Sequence, residues 1–126
     1  MPRHTTKPLK TTVKQTVADL WECAEEVAKE AAAEAAERFN LSYKMAFSLL
    51  EYMQKYTWAC VLSMPHNKGW YTRLYQMAVV EADRIAYKMA RAWRSVDEDE
   101  RRRLMTELDD DLRRIQVTPI DKRSVD

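Results

Sequence analysis

The chain contains a single glycine, Gly69, and only four prolines among its 126 residues. A β-rich fold requires many tight turns, and glycine and proline supply the backbone geometry of most of them. Their scarcity therefore predicts a few long helices joined by short connections. A chain of this length suits one domain with a hydrophobic core, which needs no disulfide or metal to hold it together.

Four segments repeat apolar residues at intervals of three and four, which is the spacing of one helical face. They predict an all-α fold, an antiparallel bundle of about four helices around a central apolar helical hairpin. The predicted helices cover approximately 12–38, 42–63, 71–94 and 96–116. We expect one helical domain over 12–116, with a flexible basic arm at 1–11 and a loose C-terminal tail at 117–126.

Local signals predict where these helices begin and end. Asn40 is a typical residue at a helix C-terminus, and Ser42 is a favourable N-cap for the second helix. Residues 65–69 combine proline, asparagine and glycine and predict a turn. Ser95 and Glu98 have the spacing of a capping box, so Ser95 is predicted to cap the fourth helix.

The second and third helices carry apolar or aromatic residues on nearly all sides, which is typical of central helices. The fourth helix has only one thin leucine stripe. We therefore expect helices one and four to offer too little apolar surface to cover the hairpin completely. Apolar surface left exposed on a protein usually marks a site for a partner.

Charge is distributed unevenly, although the net charge of the whole chain is only +1. Residues 19–40 hold seven acids and two bases, residues 41–94 hold three acids and eight bases, and residues 95–115 hold eight acids and five bases. One interpretation is internal complementarity, in which acidic helices one and four flank a basic hairpin. The other is a basic surface on helix three that contacts an acidic partner or phosphate. The residues of that surface are Arg84, Lys88 and Arg91.

Residues that usually carry catalysis or bind metals are sparse. The two histidines, His4 and His66, lie outside the predicted helices, which excludes the Glu-x-x-His pairs of di-iron bundles and the HExxH zinc motif. One glycine cannot form a phosphate-binding or dinucleotide-binding loop. Cys23 and Cys60 are expected to be buried reduced thiols, with a disulfide between them as the minor alternative. We predict no metal, no cofactor and no enzymatic activity; an enzyme with an unmarked pocket is the remaining alternative.

No apolar stretch in the sequence approaches the roughly 20 residues that a transmembrane helix needs. The basic first residues lead into a polar threonine-rich segment rather than the apolar stretch of a secretory signal. We therefore expect a cytoplasmic protein that has no membrane partner.

The leading hypothesis is a non-enzymatic helical module for protein–protein interaction, whose partner is another protein or a second copy in a homo-oligomer. A small phage or mobile-element accessory protein that binds and modulates a host protein, for example as an inhibitor, fits this description. The best local candidate combines aromatic and basic groups, which are enriched at interfaces. Its residues are His66, Lys68, Trp70, Tyr71, Arg73 and Tyr75. The alternative is a nucleic-acid-associated accessory protein that uses the basic arm and the helix-three stripe.

Overall fold

The computed structural model describes residues 16–114 of the chain. Within this range it contains no strand and four helices, which are α1 (Val17–Arg38), α2 (Tyr43–Ser63), α3 (Trp70–Arg94) and α4 (Glu98–Arg114). The predicted all-α bundle is therefore confirmed. The predicted basic arm and C-terminal tail lie outside the described residues.

The first two helices are bounded by local capping interactions. α1 begins later than the predicted residue 12 because Thr16 caps it: the Thr16 hydroxyl accepts from Asp19 N at 3.1 Å, and the Asp19 carboxylate accepts from Thr16 N at 3.3 Å. Asn40 has a left-handed φ of 55° just after α1, a conformation that asparagine tolerates at a helix end. Ser42 caps α2 as predicted, since its hydroxyl accepts from Met45 N at 3.3 Å.

The predicted capping box at Ser95 is wrong. Asp97 is the capping residue of α4, because its Oδ1 accepts from Asp99 N at 2.9 Å and from Glu100 N at 3.4 Å. The Ser95 hydroxyl instead lies 3.3 Å from the Glu100 carboxylate. An ionised carboxylate binds the amides at a helix N-terminus more strongly than a hydroxyl does. α4 therefore begins at Glu98, two residues later than predicted.

α2 runs antiparallel to α1 and α3, and α4 runs antiparallel to α3. At one end of the bundle the Tyr71 hydroxyl of α3 reaches Glu26 of α1. Towards the other end Arg38 of α1 pairs with Asp83 of α3 at 2.7 Å, so α1 and α3 are parallel. α3 contacts all three other helices, α1 contacts α2 most extensively, and α4 packs chiefly against α3.

The hydrophobic core lies where α1, α2 and α3 meet. α1 contributes mainly small side chains, including the fully buried Ala28 and Ala35, and α2 can therefore approach it closely. Three aromatic side chains of α2 and α3, Tyr52, Trp58 and Trp70, are buried in this core. α4 adds only two buried residues, Leu104 and Leu108. The two cysteines are not joined by a disulfide; Cys23 is buried, as predicted, whereas Cys60 is only half-buried.

Candidate functional site

Most side chains of the predicted partner-binding segment around the 65–69 loop contact other residues of the same chain. Trp70 is buried, and its ring centroid lies 4.5 Å from that of the His66 imidazole. His66 Nε2 also lies 2.8 Å from the carbonyl oxygen of Val61. Arg73 donates to the carbonyl oxygen of Lys68 at 3.2 Å. These contacts fix the shape of the loop, while His66, Lys68 and Arg73 remain exposed.

The two tyrosines of this segment join α3 to α1. The Tyr71 hydroxyl donates to Glu26 Oε1 at 3.3 Å, and the Tyr75 hydroxyl donates to Glu34 at 3.1 Å. Burial and the nearby Glu26 carboxylate raise the pKa of Tyr71, so its hydroxyl keeps its proton and remains a donor. Acidic side chains of α1 therefore meet tyrosines of α3 at these two positions.

The predicted basic stripe lies on one face of α3, and α4 packs along that face and leaves Arg91 exposed. Asp111 accepts from Lys88, and the Arg84 Nη1 atom lies 3.4 Å from the same carboxylate. Arg91 Nη2 lies 3.7 Å from Glu100 Oε2. The structure therefore brings the three cations together and pairs each of them with a carboxylate, which is the internal complementarity that the charge distribution predicts for these two helices.

Glu81 is a buried carboxylate at the centre of this charged network. Arg84 donates two hydrogen bonds to it, Nε to Oε1 at 3.2 Å and Nη2 to Oε2 at 2.6 Å, and the Tyr52 hydroxyl of α2 donates a third. Burial alone would raise the pKa of Glu81, but the Arg84 guanidinium and the Tyr52 hydroxyl hold it below its ordinary value of 4.5. Glu81 is therefore ionised at neutral pH, and it links α2 to α3 as a satisfied acceptor.

Several large apolar side chains stay exposed, as expected from the small apolar surface that helices one and four offer to cover the hairpin. Of nine exposed large apolar side chains in the described residues, six belong to α2 or α3. These six are Tyr43, Phe47, Met77, Val80, Tyr87 and Trp93. Tyr43 and Phe47 begin α2 and Trp93 ends α3, so this part of the exposed surface lies at the end of the bundle away from the 65–69 loop.

Two cavities lie along the outer side of the contact between α1 and α2, and we call the face that they share the α1–α2 seam. The first cavity has a volume of about 270 Å³ and lies between Ala33 and Ala36 of α1 and Tyr43 and Phe47 of α2. The second cavity has a volume of about 310 Å³ and is bordered by Trp21 and Trp58, among others. Residues of α1 and α2 alone line both cavities. The seam is therefore a face of the bundle that α3 and α4 do not cover.

Two tryptophans close the far end of the seam. Trp21 of α1 packs edge-on against Trp58 of α2, with 5.0 Å between ring centroids. Trp58 is buried, and its indole Nε1 finds no hydrogen-bond partner among the described residues. Trp21 covers it while remaining partly exposed. This aromatic pair forms a rigid boundary of the seam, because the buried Trp58 ring cannot move without losing core contacts.

A separate groove of about 500 Å³ lies at the end of the bundle where α1 and α3 finish. The Phe39 and Tyr87 rings are 6.3 Å apart between centroids, and Arg94 Nη2 donates to the carbonyl oxygen of Phe39 at 3.0 Å. These contacts attach the connection between α1 and α2 to α3, so the groove borders a structural junction.

Tyr43 and Phe47 lie outside the residues that the sequence predicts as a site. A signal for them exists: they are four residues apart on the side of α2 away from its buried stripe, and α1 is rich in alanine where the two helices meet. Aromatic residues beside a wall of small residues form a groove when nothing else covers them. Which side of the hairpin stays uncovered depends on the docking of α4, and that is a tertiary property.

No known family model matches the chain, and searches of curated proteins and of solved structures also find no significant match. Within residues 16–114, no group of three or more His, Cys, Asp or Glu side chains could hold a metal ion. Across the same part of the chain, no helix combines the length and apolar character needed to cross a membrane.

Proposed function

We propose that the chain is a non-enzymatic protein-interaction module and that its contact surface is the α1–α2 seam. The observation that carries this proposal is the exposure of Tyr43 and Phe47, which are 91% and 55% exposed. Keeping two neighbouring aromatic rings in water is unfavourable, and a partner that covers them removes this cost. Aromatic side chains of this kind frequently dominate the binding energy of protein interfaces.

The shape of the seam supports a helical occupant. The small side chains of Ala33 and Ala36 form one wall, and the rings of Tyr43 and Phe47 form the other. Small residues allow the backbone of a third helix to approach, and the rings provide contact area along its side. Docking of an amphipathic helix in an apolar groove is a common mode of recognition.

The pairing of the α3 cations favours this function over nucleic-acid binding. Arg84 and Lys88 share Asp111, and Arg91 faces Glu100. Phosphate would have to compete with these carboxylates for the same cations. The satisfied network around Glu81 likewise supports a structural role for these charges, because its acceptors are already occupied by Arg84 and Tyr52.

The proposal is tested by comparing three tagged proteins, wild type, Phe47→Glu and Val80→Glu, as baits in a lysate of the native cell. Val80 is the matched control because it is also an exposed apolar residue of a helix, at 69% exposure, but lies on α3. Circular dichroism first establishes that all three fold. We expect mass spectrometry to find a protein, or an untagged copy of the chain, retained by wild type and Val80→Glu and lost with Phe47→Glu.

Two results would contradict the proposal. A partner that all three baits retain equally would show that the seam is not the contact surface. A partner that is lost only with Val80→Glu would move the contact to the exposed face of α3.

A further inference from the structure

We infer that the partner of the α1–α2 seam is a second copy of this chain, bound through the same seam in a two-fold symmetric dimer. This inference rests on the proposed function and names its partner. The seam runs from Trp21 to Ala36 along α1, a distance of about 22 Å at a rise of ~1.5 Å per residue. That is long enough for about four turns of helix to lie against it.

The charges beside the seam favour a second copy over a strongly acidic or basic partner. On α1, Glu25 and Lys29 pair at 3.8 Å, and on α2, Glu51 and Lys55 border the groove. Each helix thus presents one glutamate followed four residues later by one lysine, and together the four charges cancel. A two-fold contact requires a patch that is complementary to itself, whereas a patch of one sign repels its own copy.

An antiparallel contact between α1 and α1 of the second copy makes these charges complementary. When the two-fold axis crosses the exposed side of α1 midway between Glu25 and Lys29, Glu25 of each copy lies opposite Lys29 of the other. In this register the small, exposed side chain of Ala33 lies opposite Trp21 of the second copy and leaves room for its ring. The α1–α2 pairs of the two copies together form a four-helix arrangement, which is a common way for paired helices to bury an open apolar side.

The aromatic residues supply the apolar part of this contact. Tyr43 and Phe47 are exposed in the single chain, and the α1–α2 pair of a second copy lying along the seam covers them. A face about 22 Å long and two helices wide is smaller than a permanent interface usually is. We therefore expect reversible association in the micromolar range.

Sedimentation equilibrium of the purified full chain over the micromolar range tests the dimer. We expect the wild type to shift from the monomer mass towards twice that mass as its concentration rises. Phe47→Glu, which places a charge where apolar contact is required, is expected to weaken the association by about a hundredfold or more. Val80→Glu is the control and should leave the dissociation constant unchanged.

Charge reversal tests the two-fold register. Glu25→Lys places two lysines opposite each other at each contact, and Lys29→Glu places two glutamates there, so each variant alone should associate about tenfold more weakly. An equal mixture of the two variants restores opposite charges at both contacts. The mixture should therefore recover the association of the wild type, which a contact with any unrelated surface of the chain would not produce.

The possible results separate this inference from the proposed function. A wild-type mass that stays monomeric at all concentrations, a dimer that survives Phe47→Glu, or a mixture that fails to recover association would overturn the inference. If the wild type is monomeric but still captures a different protein that Phe47→Glu loses, the proposed function stands and only the second copy is excluded.

Discussion

Replacement of Glu81 by alanine tests whether the charged network holds the bundle together. Glu81 is only 12% exposed and receives two hydrogen bonds from Arg84 and one from Tyr52. The alanine variant leaves the Tyr52 hydroxyl and the guanidinium without their acceptor. Because the exposure of the guanidinium side chain is 34%, water replaces part of the lost interaction.

The expected loss of stability follows from these contacts. Breaking a fully buried ion pair costs roughly 3–5 kcal/mol, and leaving one buried donor unpaired costs about 1–3 kcal/mol. Since Arg84 is partly hydrated and still reaches Asp111 at 3.4 Å, we expect the free energy of unfolding to fall by about 3 kcal/mol. Glu81→Gln keeps an acceptor for Tyr52 and the original shape, so its loss should be about half as large, ~1.5 kcal/mol.

Urea unfolding followed by tryptophan fluorescence measures these changes, because Trp58 and Trp70 are buried in the folded state. Asp83→Ala is the matched control. It removes an ion pair two residues along the same helix, between Asp83 and Arg38 at 2.7 Å, but that pair is exposed to solvent. Its effect should therefore be much smaller. If Asp83→Ala destabilises the protein as much as Glu81→Ala does, the reasoning from burial is refuted.

Three further predictions concern the carboxylates paired with cations of α3, the N-cap of α4 and the turn before α3. Burial opposes the ionisation of Glu81 and Asp111, but nearby cations lower the pKa of both carboxylates below the ordinary values of 4.5 and 3.8. Their stabilising contribution is therefore complete above those values and is lost as the pH falls through the lower pKa values of the folded state. The urea midpoint should drop steeply below about pH 4. If the urea midpoint of an Asp111→Asn variant drops just as steeply, ionisation of Asp111 is not the cause. Asp97→Ala removes the N-cap of α4 and should lower the free energy of unfolding by about 1 kcal/mol. Hydrogen exchange at the first amides of α4 should become faster, and unchanged exchange would be inconsistent with the capping role. Gly69→Ala should lower the free energy of unfolding, measured with urea, by about 1 kcal/mol because the φ of Gly69 is +83°. Gly69→Asn should lower it less, since asparagine tolerates this conformation better than alanine does. Equal losses for the two variants would exclude backbone conformation as the cause.

The parts of the fold that depend on neighbouring residues are predictable from the sequence. Ser42 caps α2 and Asn40 follows α1 as predicted, since each signal acts within one helical turn. The start of α4 is wrong because Ser95 and Asp97 both qualify as caps, and only the folded geometry decides that the carboxylate takes the amides. The predicted number and order of helices did not depend on this choice.

The candidate site depends on tertiary contacts, and its prediction is correspondingly weaker. Trp70, Tyr71 and Tyr75 have the composition of an interface, but Trp70 enters the core and the tyrosines bond to α1 glutamates. Conversely, the exposure of Tyr43 and Phe47 follows from α4 packing on α3 instead of on the seam. Side-chain type therefore indicates that apolar surface is left over, and only the arrangement of helices shows where it lies.

Contact between the seam and another protein chain is tested most directly by photo-cross-linking in the native cell. A photoreactive phenylalanine analogue replaces Phe47 in one variant and Val80 in another, and cross-linked products are identified by mass spectrometry. We predict a discrete cross-linked product from position 47 and none from position 80, because only the first lies in the seam. Cross-linking from position 80 alone, or none from position 47 in a folded protein, would contradict the proposed contact surface.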